Sequence, residues 1–141
     1  MKEFNNLKDA LSFLQQQINS SLKEEISDLT VKTLQENMQK EVYDVYQPKK
    51  YDRAGYQGGL IDPSNIEVKL DGNTLSLESM RPDGERNVAE IVETGQGYTY
   101  NFEYAGKPRP FTDTTREELR ESNKLIHSMK NGLHKRGIKT D

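Results

Sequence analysis

Apolar residues at the start of the chain recur at alternating steps of three and four positions. Such spacing places them on one stripe of an amphipathic helix. The first stripe consists of Phe4, Leu7, Leu11, Leu14 and Ile18. A second runs through Leu22, Ile26, Leu29, Leu34, Met38, Val42 and Val45. The pattern therefore predicts that the first third of the chain is helical.

Two interpretations of the junction between these stripes stay open. Ser21 and Glu24 have the spacing of a capping box, in which a hydroxyl accepts from a first-turn N–H, so a second helix could start at Ser21. The steps of four from Ile18 to Leu22 to Ile26 are also typical of a stutter within one continuous helix.

A tyrosine-rich loop is predicted over residues 43–64, which hold four of the seven tyrosines. Pro48 disfavours helix at the residue before it, and Gly58-Gly59 permits a positive φ. Tyrosines beside basic residues such as Arg53 are typical of protein interfaces, because Tyr brings a large contact area and Arg a forked set of hydrogen bonds. The alternative interpretation is a loop that covers the domain's own core.

Alternation with a period of two predicts strands after this loop. Residues 66–77 alternate around the turn Asp71-Gly72-Asn73, which is typical of a β-hairpin. The aromatic residues of 98–104 also alternate strictly and predict a third strand. Between them, the apolar segment 88–92 predicts one or two helical turns that stop at Gly95.

A C-terminal helix is predicted beyond Pro108-Arg109-Pro110-Phe111, a rigid joint whose Phe111 either fills the core or docks between subunits. Thr114 with Glu117, or Thr115 with Glu118, provides a capping-box start. Gly137 suits the position after the last turn, and Ile138 is placed to fold back. The element order predicts an α+β fold with N-terminal helices, an antiparallel sheet with a β-hairpin, and a long C-terminal helix packed on the sheet.

Composition favours an extended helical protein or a subunit that completes its core against copies of itself. Of the 141 residues, 32% are hydrophobic and 30% charged, and the mean hydropathy is -0.95. Residues 67–105 contain three basic and eight acidic side chains, a net charge of -5. Residues 106–141 contain nine basic and five acidic, a net charge of +4. This segregation predicts charge-complementary packing within a subunit or between neighbours.

Several classes of protein are excluded or disfavoured by the same residues. No apolar run approaches the roughly 20 residues that cross a bilayer, so we expect no membrane partner, and the first residues lack the apolar core of a signal peptide. The absence of cysteine excludes a disulfide framework, a thiolate nucleophile and a cysteine zinc site. His127 and His134 lie seven residues apart, whereas helical metal pairs use three or four.

Motifs for catalysis are also missing. The sequence contains no G-x-S-x-G turn and no glycine-rich phosphate loop. We therefore expect no enzyme activity, no metal and no cofactor. The basic end of the last helix, with Lys135 and Arg136, leaves a nucleic-acid-binding regulatory protein as the alternative function.

A set of short motifs lies between residues 42 and 111, within a resemblance that covers residues 22–137. They are Val42-Tyr43, Tyr46, Pro48, Tyr51, Arg53, Gly58-Gly59-Leu60, Asp62, Ile91-Val92-Glu93-x-Gly95 and Arg109-Pro110-Phe111. Taken together, they resemble minor structural proteins of tailed bacteriophages and prophages, in particular the tail-completion or head-tail joining proteins of the neck. The chain differs from that pattern by its N-terminal helix and by the tyrosine-rich loop, which replaces a short Pro-x-Asp-Thr-Gly segment.

The resemblance implies a non-enzymatic virion structural protein that assembles into a homo-oligomeric ring at the neck. It would be made in the bacterial host cytoplasm, contact the adjacent head-tail connector and tail proteins, and lie close to DNA only as DNA passes. Residues 1–20 would form a helical extension, and residues 21–141 a single α+β domain. The implied interface residues are Tyr43, Tyr46, Tyr51, Arg53, Leu60, Glu93, Gly95, Arg109, Pro110 and Phe111, the last five of which shape the sheet-to-helix junction.

Overall fold

The computed structural model describes residues 3–48, 55 and 57–140. Helix α1 (Leu7–Ser21) passes through a π-helical turn (Leu22–Ile26) into α2 (Ser27–Met38), which ends in a second π-helical turn (Gln39–Tyr43). These elements form one continuous helical run. Phe4 lies before the N-cap Asn6, whose side chain accepts from the Asp9 N–H, so the helical stripe begins at Leu7.

The stutter interpretation of the first two stripes is confirmed, and the capping box at Ser21 is wrong. Ser21 has helical backbone angles (φ -68°, ψ -38°) and makes no capping hydrogen bond with any described residue. In an α-helix, each step of four residues moves the next apolar side chain about 40° around the helix axis, away from the stripe. The π-helical turns occur where steps of four recur. Because a π-helical turn contains more residues than an α-helical one, it keeps these side chains closer to one stripe.

The β-structure consists of two short antiparallel pairs within the described residues. A 3-10 turn (Pro63–Asn65) precedes β1 (Ile66–Asp71), which pairs with β2 (Thr74–Ser79) in the predicted hairpin, with Ile66 opposite Ser79. β3 (Pro82–Asp83) and β4 (Arg86–Asn87) form the second pair. The third strand predicted at 98–104 is wrong, because those residues form turns and irregular chain.

The predicted single C-terminal helix is two helices, α4 (Phe111–Glu121) and α5 (Lys124–Lys135). The chain breaks between them at Asn123, which has a φ of 58°. Both proposed capping starts are wrong, since the Thr114 hydroxyl donates to Glu41 and the Thr115 hydroxyl to the Phe111 carbonyl. The predicted C-terminal end is confirmed by Gly137 (φ 85°), after which the Ile138 N–H returns to the Leu133 carbonyl.

The main core lies where α2 packs against α4. Phe111 is fully buried there, beside α3 (Val88–Thr94) and the segment that leads into the hairpin. The Asn37 side chain donates to the Thr115 hydroxyl at 2.9 Å inside this contact. The buried cluster contains Leu34, Met38, Val42, Leu60, Ile61, Ile66, Ala89, Val92 and Phe111. The α+β fold class is confirmed, and α4 faces β2 across a groove that both elements line.

A second contact fastens α5 to the N-terminal helical run. The Cα of Gly132 lies so close to Ser21 that a side chain at 132 would overlap the Ser21 hydroxyl. Beside it, the Arg136 guanidinium forms ion pairs of 2.7 Å with both Glu24 and Glu25. Burial alone would raise the pKa of Glu25, but the hydrogen bond and positive charge of Arg136 hold that pKa below its usual value.

Gly132→Ala is expected to lower the free energy of unfolding by about 1–3 kcal/mol, because the added methyl group overpacks the contact with Ser21. Urea unfolding measures the change. Asn131→Ala, at the exposed neighbouring position, is the control and should leave stability nearly unchanged. Replacing an exposed glycine within a helix by alanine usually raises stability. Such a gain for Gly132→Ala would show that α1 and α5 do not approach so closely.

Acidification is expected to destabilise the protein in part through Glu25. Because its pKa is lower in the folded than in the unfolded state, its contribution is present above the unfolded value of about 4.3 and is lost as the pH falls through the folded value. Urea unfolding of Glu25→Gln should therefore show a shallower loss of stability in this acid range. Glu24→Gln, at the more exposed partner of Arg136, is the comparison variant; equal effects of the two changes would contradict the assignment to Glu25.

Candidate interaction site

Residues 95–107 form a loop, here called the aromatic loop, whose two ends lie side by side. Gly95 ends α3 in the left-handed region (φ 75°), and its carbonyl accepts from the Gly106 N–H at 2.7 Å. A Cβ at position 95 would lie 2.5 Å from the Lys107 carbonyl. The close approach of the two backbone segments therefore requires glycine.

The aromatic side chains of this loop form a cluster instead of one face of a strand. The ring centroids of Tyr98 and Phe102 are 4.7 Å apart, and those of Tyr100 and Phe102 are 5.1 Å apart. A strand would separate residues four apart by about 13 Å at its usual rise per residue. The chain must therefore fold back on itself, and the edge-to-face contact of Tyr98 with Phe102 is a favoured aromatic geometry.

The cluster extends to the end of the N-terminal helical run. The Tyr46 ring lies 5.2 Å from Phe102 and 5.8 Å from Tyr104, between ring centroids. The Tyr104 hydroxyl donates to the Val45 carbonyl at 3.3 Å. Residues about 55 positions apart in the chain thus share one aromatic surface.

Arg109 is the buried charge at the centre of this arrangement. Only 6% of it is exposed, and its guanidinium lies 4.7 Å from the centroid of the Tyr104 ring. One terminal nitrogen donates to the Tyr98 hydroxyl at 2.7 Å. Among the described residues, Arg109 forms no salt bridge, and its Nε has no hydrogen-bond partner. A buried charge is costly unless paired, and the aromatic contact offsets part of that cost.

A cleft of about 410 Å³ opens beside Arg109. Arg81, Arg86 and Asp83 line it together with Arg109, so its charged side chains carry a net charge of +2. The Arg86 guanidinium also donates to the Gly97 carbonyl at 2.5 Å and so ties β4 to the aromatic loop. Apolar and aromatic residues supply the remaining wall, including Val42, Tyr43, Tyr46, Leu60, Tyr98, Tyr100 and Phe102.

The junction between α3 and α4 holds the cleft in place. The Arg109 N–H donates to the Val92 carbonyl at 3.3 Å. Glu93 accepts from the Thr112 N–H at 2.9 Å and the Asp113 N–H at 3.3 Å. Pro110, at the N-cap of α4, makes no side-chain capping bond within the described part of the chain. A carboxylate from α3 therefore satisfies the first-turn donors of α4.

The structure places eight of the ten residues inferred for the interface around this junction and cleft. Tyr43, Tyr46, Leu60 and Arg109 line the cleft, Glu93, Gly95 and Pro110 form the junction, and Phe111 fills the core beneath. Tyr51 and Arg53 lie outside the described residues. Phe111 has no exposed surface, which agrees with its interpretation as a core plug.

Sequence reasoning missed the cleft residues Arg81, Arg86, Tyr98 and Tyr100. The period-two alternation predicts one face of a strand for the two tyrosines, and the two arginines belong to no motif. A usable signal was present in the glycines at 95, 97 and 106, because they flank the aromatic run as expected for a loop closed at its base.

The described residues offer no clustered metal ligands, since nowhere do three His, Asp or Glu side chains gather to hold an ion. His134 instead accepts from the Thr140 N–H at 3.0 Å. No helix in the described part of the chain is both long and apolar enough to span a bilayer.

Comparison with known proteins connects the chain to a phage-derived family. The family model described as YomN matches residues 3–135. The SPbeta prophage-derived uncharacterized protein YomN of Bacillus subtilis (strain 168) is 38% identical over 119 residues, which cover 82% of this chain and 81% of the relative. No solved structure matches. The prophage origin of this relative agrees with the resemblance to phage proteins.

Glu93→Ala is expected to lower the free energy of unfolding by about 0.5–2 kcal/mol, because the first turn of α4 loses its acceptor. Glu93→Gln keeps a side-chain oxygen in place and should retain part of that stability. Thermal unfolding monitored by circular dichroism measures both, with Glu90→Ala as the exposed control on the same helix. Equal losses in the two alanine variants would show that Glu93 does not cap α4.

Proposed function

We propose that the chain, which belongs to the YomN family, is a non-enzymatic structural protein of the phage neck. In this proposal it acts in tail completion or head-tail joining by assembling into a ring. The prophage-derived relative supports a phage role of some kind. The motif resemblance adds the neck as the place of action, in the virion after assembly in the host cytoplasm.

The observation that carries the proposal is the buried, positively charged Arg109 at a cleft where no described carboxylate pairs with it. Truncating one partner of a buried charge pair is strongly destabilising, so a buried cation that no described carboxylate pairs with favours an anionic group supplied on assembly. An acidic side chain of a neighbouring subunit would meet this need.

The lining of the cleft also supports a protein partner. Tyr and Arg are enriched in protein interfaces and dominate their binding energy. Tyr100 is 49% exposed at the rim, and Arg81 and Arg86 add positive charge around it. Such a surface suits acidic segments of the same chain or of the adjacent connector and tail proteins.

The alternative, a nucleic-acid-binding regulator, depends on the basic end of α5. Arg136 is committed there to Glu24 and Glu25, and only 13% of its side chain is exposed. Lys135 remains exposed. Pairing with carboxylates reduces the positive charge that this surface offers to phosphate, which favours the structural role over the regulatory one.

Light scattering coupled to size-exclusion chromatography tests the proposal. The protein would be examined over a concentration series, alone and with the purified products of the genes that flank it in the prophage. Ring-sized assemblies, or stable complexes with a connector or tail protein, are expected. Tyr100→Ala should weaken such assembly about tenfold or more, because aromatic interface residues each commonly contribute more than 1 kcal/mol.

Ile126→Ala is the matched control, since Ile126 is also about half exposed but lies on α5 away from the cleft. It should leave assembly unchanged. The neck assignment would be contradicted if the protein formed no ring and did not bind the products of the flanking genes. Steeply salt-dependent binding of duplex DNA that is lost in Lys135→Ala would favour the regulatory alternative.

A further inference from the structure

The leucine stripe of α1 becomes steadily more exposed towards the start of the helix. Ser21 is fully buried, whereas 37% of Leu14, 55% of Leu11 and 74% of Leu7 is exposed. Leucines on a helix are usually buried, and a contiguous row of exposed ones marks an interaction surface. The described residues leave the first three turns of this stripe uncovered.

The covered part of the same helical side shows what kind of element packs there. Ser21 lies seven residues after Leu14, so the two face nearly the same way. Ser21 lies against Gly132 near the end of α5, and Glu25 pairs with Arg136, the residue that follows α5. Leu29 lines one groove with α5 residues from Lys124 to Lys135. α5 therefore packs along residues 21–29 of the N-terminal helical run, and its end lies beside Ser21.

A second copy of α1 fits the uncovered stripe in one direction. The helical run continues from α1 without a break to Tyr43. A copy placed parallel would carry its own continuation along residues 21–29, where α5 already packs. An antiparallel copy would instead continue past the start of α1, beyond the exposed Leu7 and Leu11.

The antiparallel arrangement is also electrostatically favourable. The start of α1 in the second copy would lie next to the end of α5, so the positive end of one helix dipole would face the negative end of the other. The basic residues Lys135 and Lys139 lie at this end of α5, and the start of α1 carries Glu3, Lys8 and Asp9, a net charge of -1. Net opposite charges would thus meet at both ends of a two-fold contact.

We infer that α1 is a dimerisation helix, which pairs antiparallel with α1 of a second copy and packs Leu7 near Ile18 and Leu11 near Leu14 across the pair. The contact is isologous, because each copy presents the same leucine stripe. This inference goes beyond the neck assignment and does not use the cleft. The dimer is expected whether or not the cleft binds a partner.

Sedimentation equilibrium of the full chain tests the pairing. The unaltered protein should dimerise, and Leu11→Glu should raise the dissociation constant about tenfold or more, because it places a charge in the apolar contact. Gln16→Glu adds the same charge to an exposed position on the opposite side of α1 and should leave the constant nearly unchanged. Far-ultraviolet circular dichroism verifies that both variants remain helical.

Disulfide trapping tests the direction, which is straightforward because the chain has no cysteine. On mild oxidation, a mixture of Leu7→Cys and Ile18→Cys chains should form mixed dimers in preference to dimers of either variant with itself. Self-linked Leu7→Cys dimers as the main product would indicate a parallel pair and overturn the inference. So would a monomer at all concentrations, equal weakening by both glutamate variants, or binding of α1 to anionic vesicles without dimerisation.

Discussion

The contact between the end of α3 and residues 106–113 is the constraint on which the rest of the fold depends. The carbonyls of Val92 and Gly95 and the carboxylate of Glu93 accept hydrogen bonds from four backbone N–H groups of that segment. These bonds close the base of the aromatic loop and start α4 at Phe111. Because the two backbones approach so closely at Gly95, a side chain there would force them apart and displace both the core and the cleft.

This constraint explains how one short segment serves two environments. Arg109 and Phe111 are two residues apart, yet the former lines the cleft and the latter fills the core between α2 and α4. Their separation depends on Pro110, which gives the chain an irregular bend before the helix begins. Stability and the candidate interaction surface are therefore coupled, and the Tyr98 and Tyr104 contacts hold the guanidinium in position.

The two surfaces proposed for association differ in chemistry. The cleft is positively charged and aromatic, which suits an acidic partner, whereas the α1 stripe is leucine-rich and suits a second amphipathic helix. They also lie on different parts of the chain, one around the α3–α4 junction and the other before Ser21. A subunit with two independent contacts can join both copies of itself and other components of an assembly.

The sequence by itself determined the elements whose signals are local. The steps of three and four predicted the N-terminal helical run, the Asp71-Gly72-Asn73 turn predicted the hairpin, and Gly137 predicted the end of α5. It could not determine the aromatic loop, because alternation at 98–104 fits a strand unless the contact between Gly95 and Lys107 closes the segment. It also placed the start of α4 too late, since the group that caps it is a Glu93 carboxylate 19 residues away from Thr112. Ser21 and Arg109 are likewise buried by residues that are distant in the chain. Only the tertiary structure therefore decided that these two polar side chains are buried and which groups surround them.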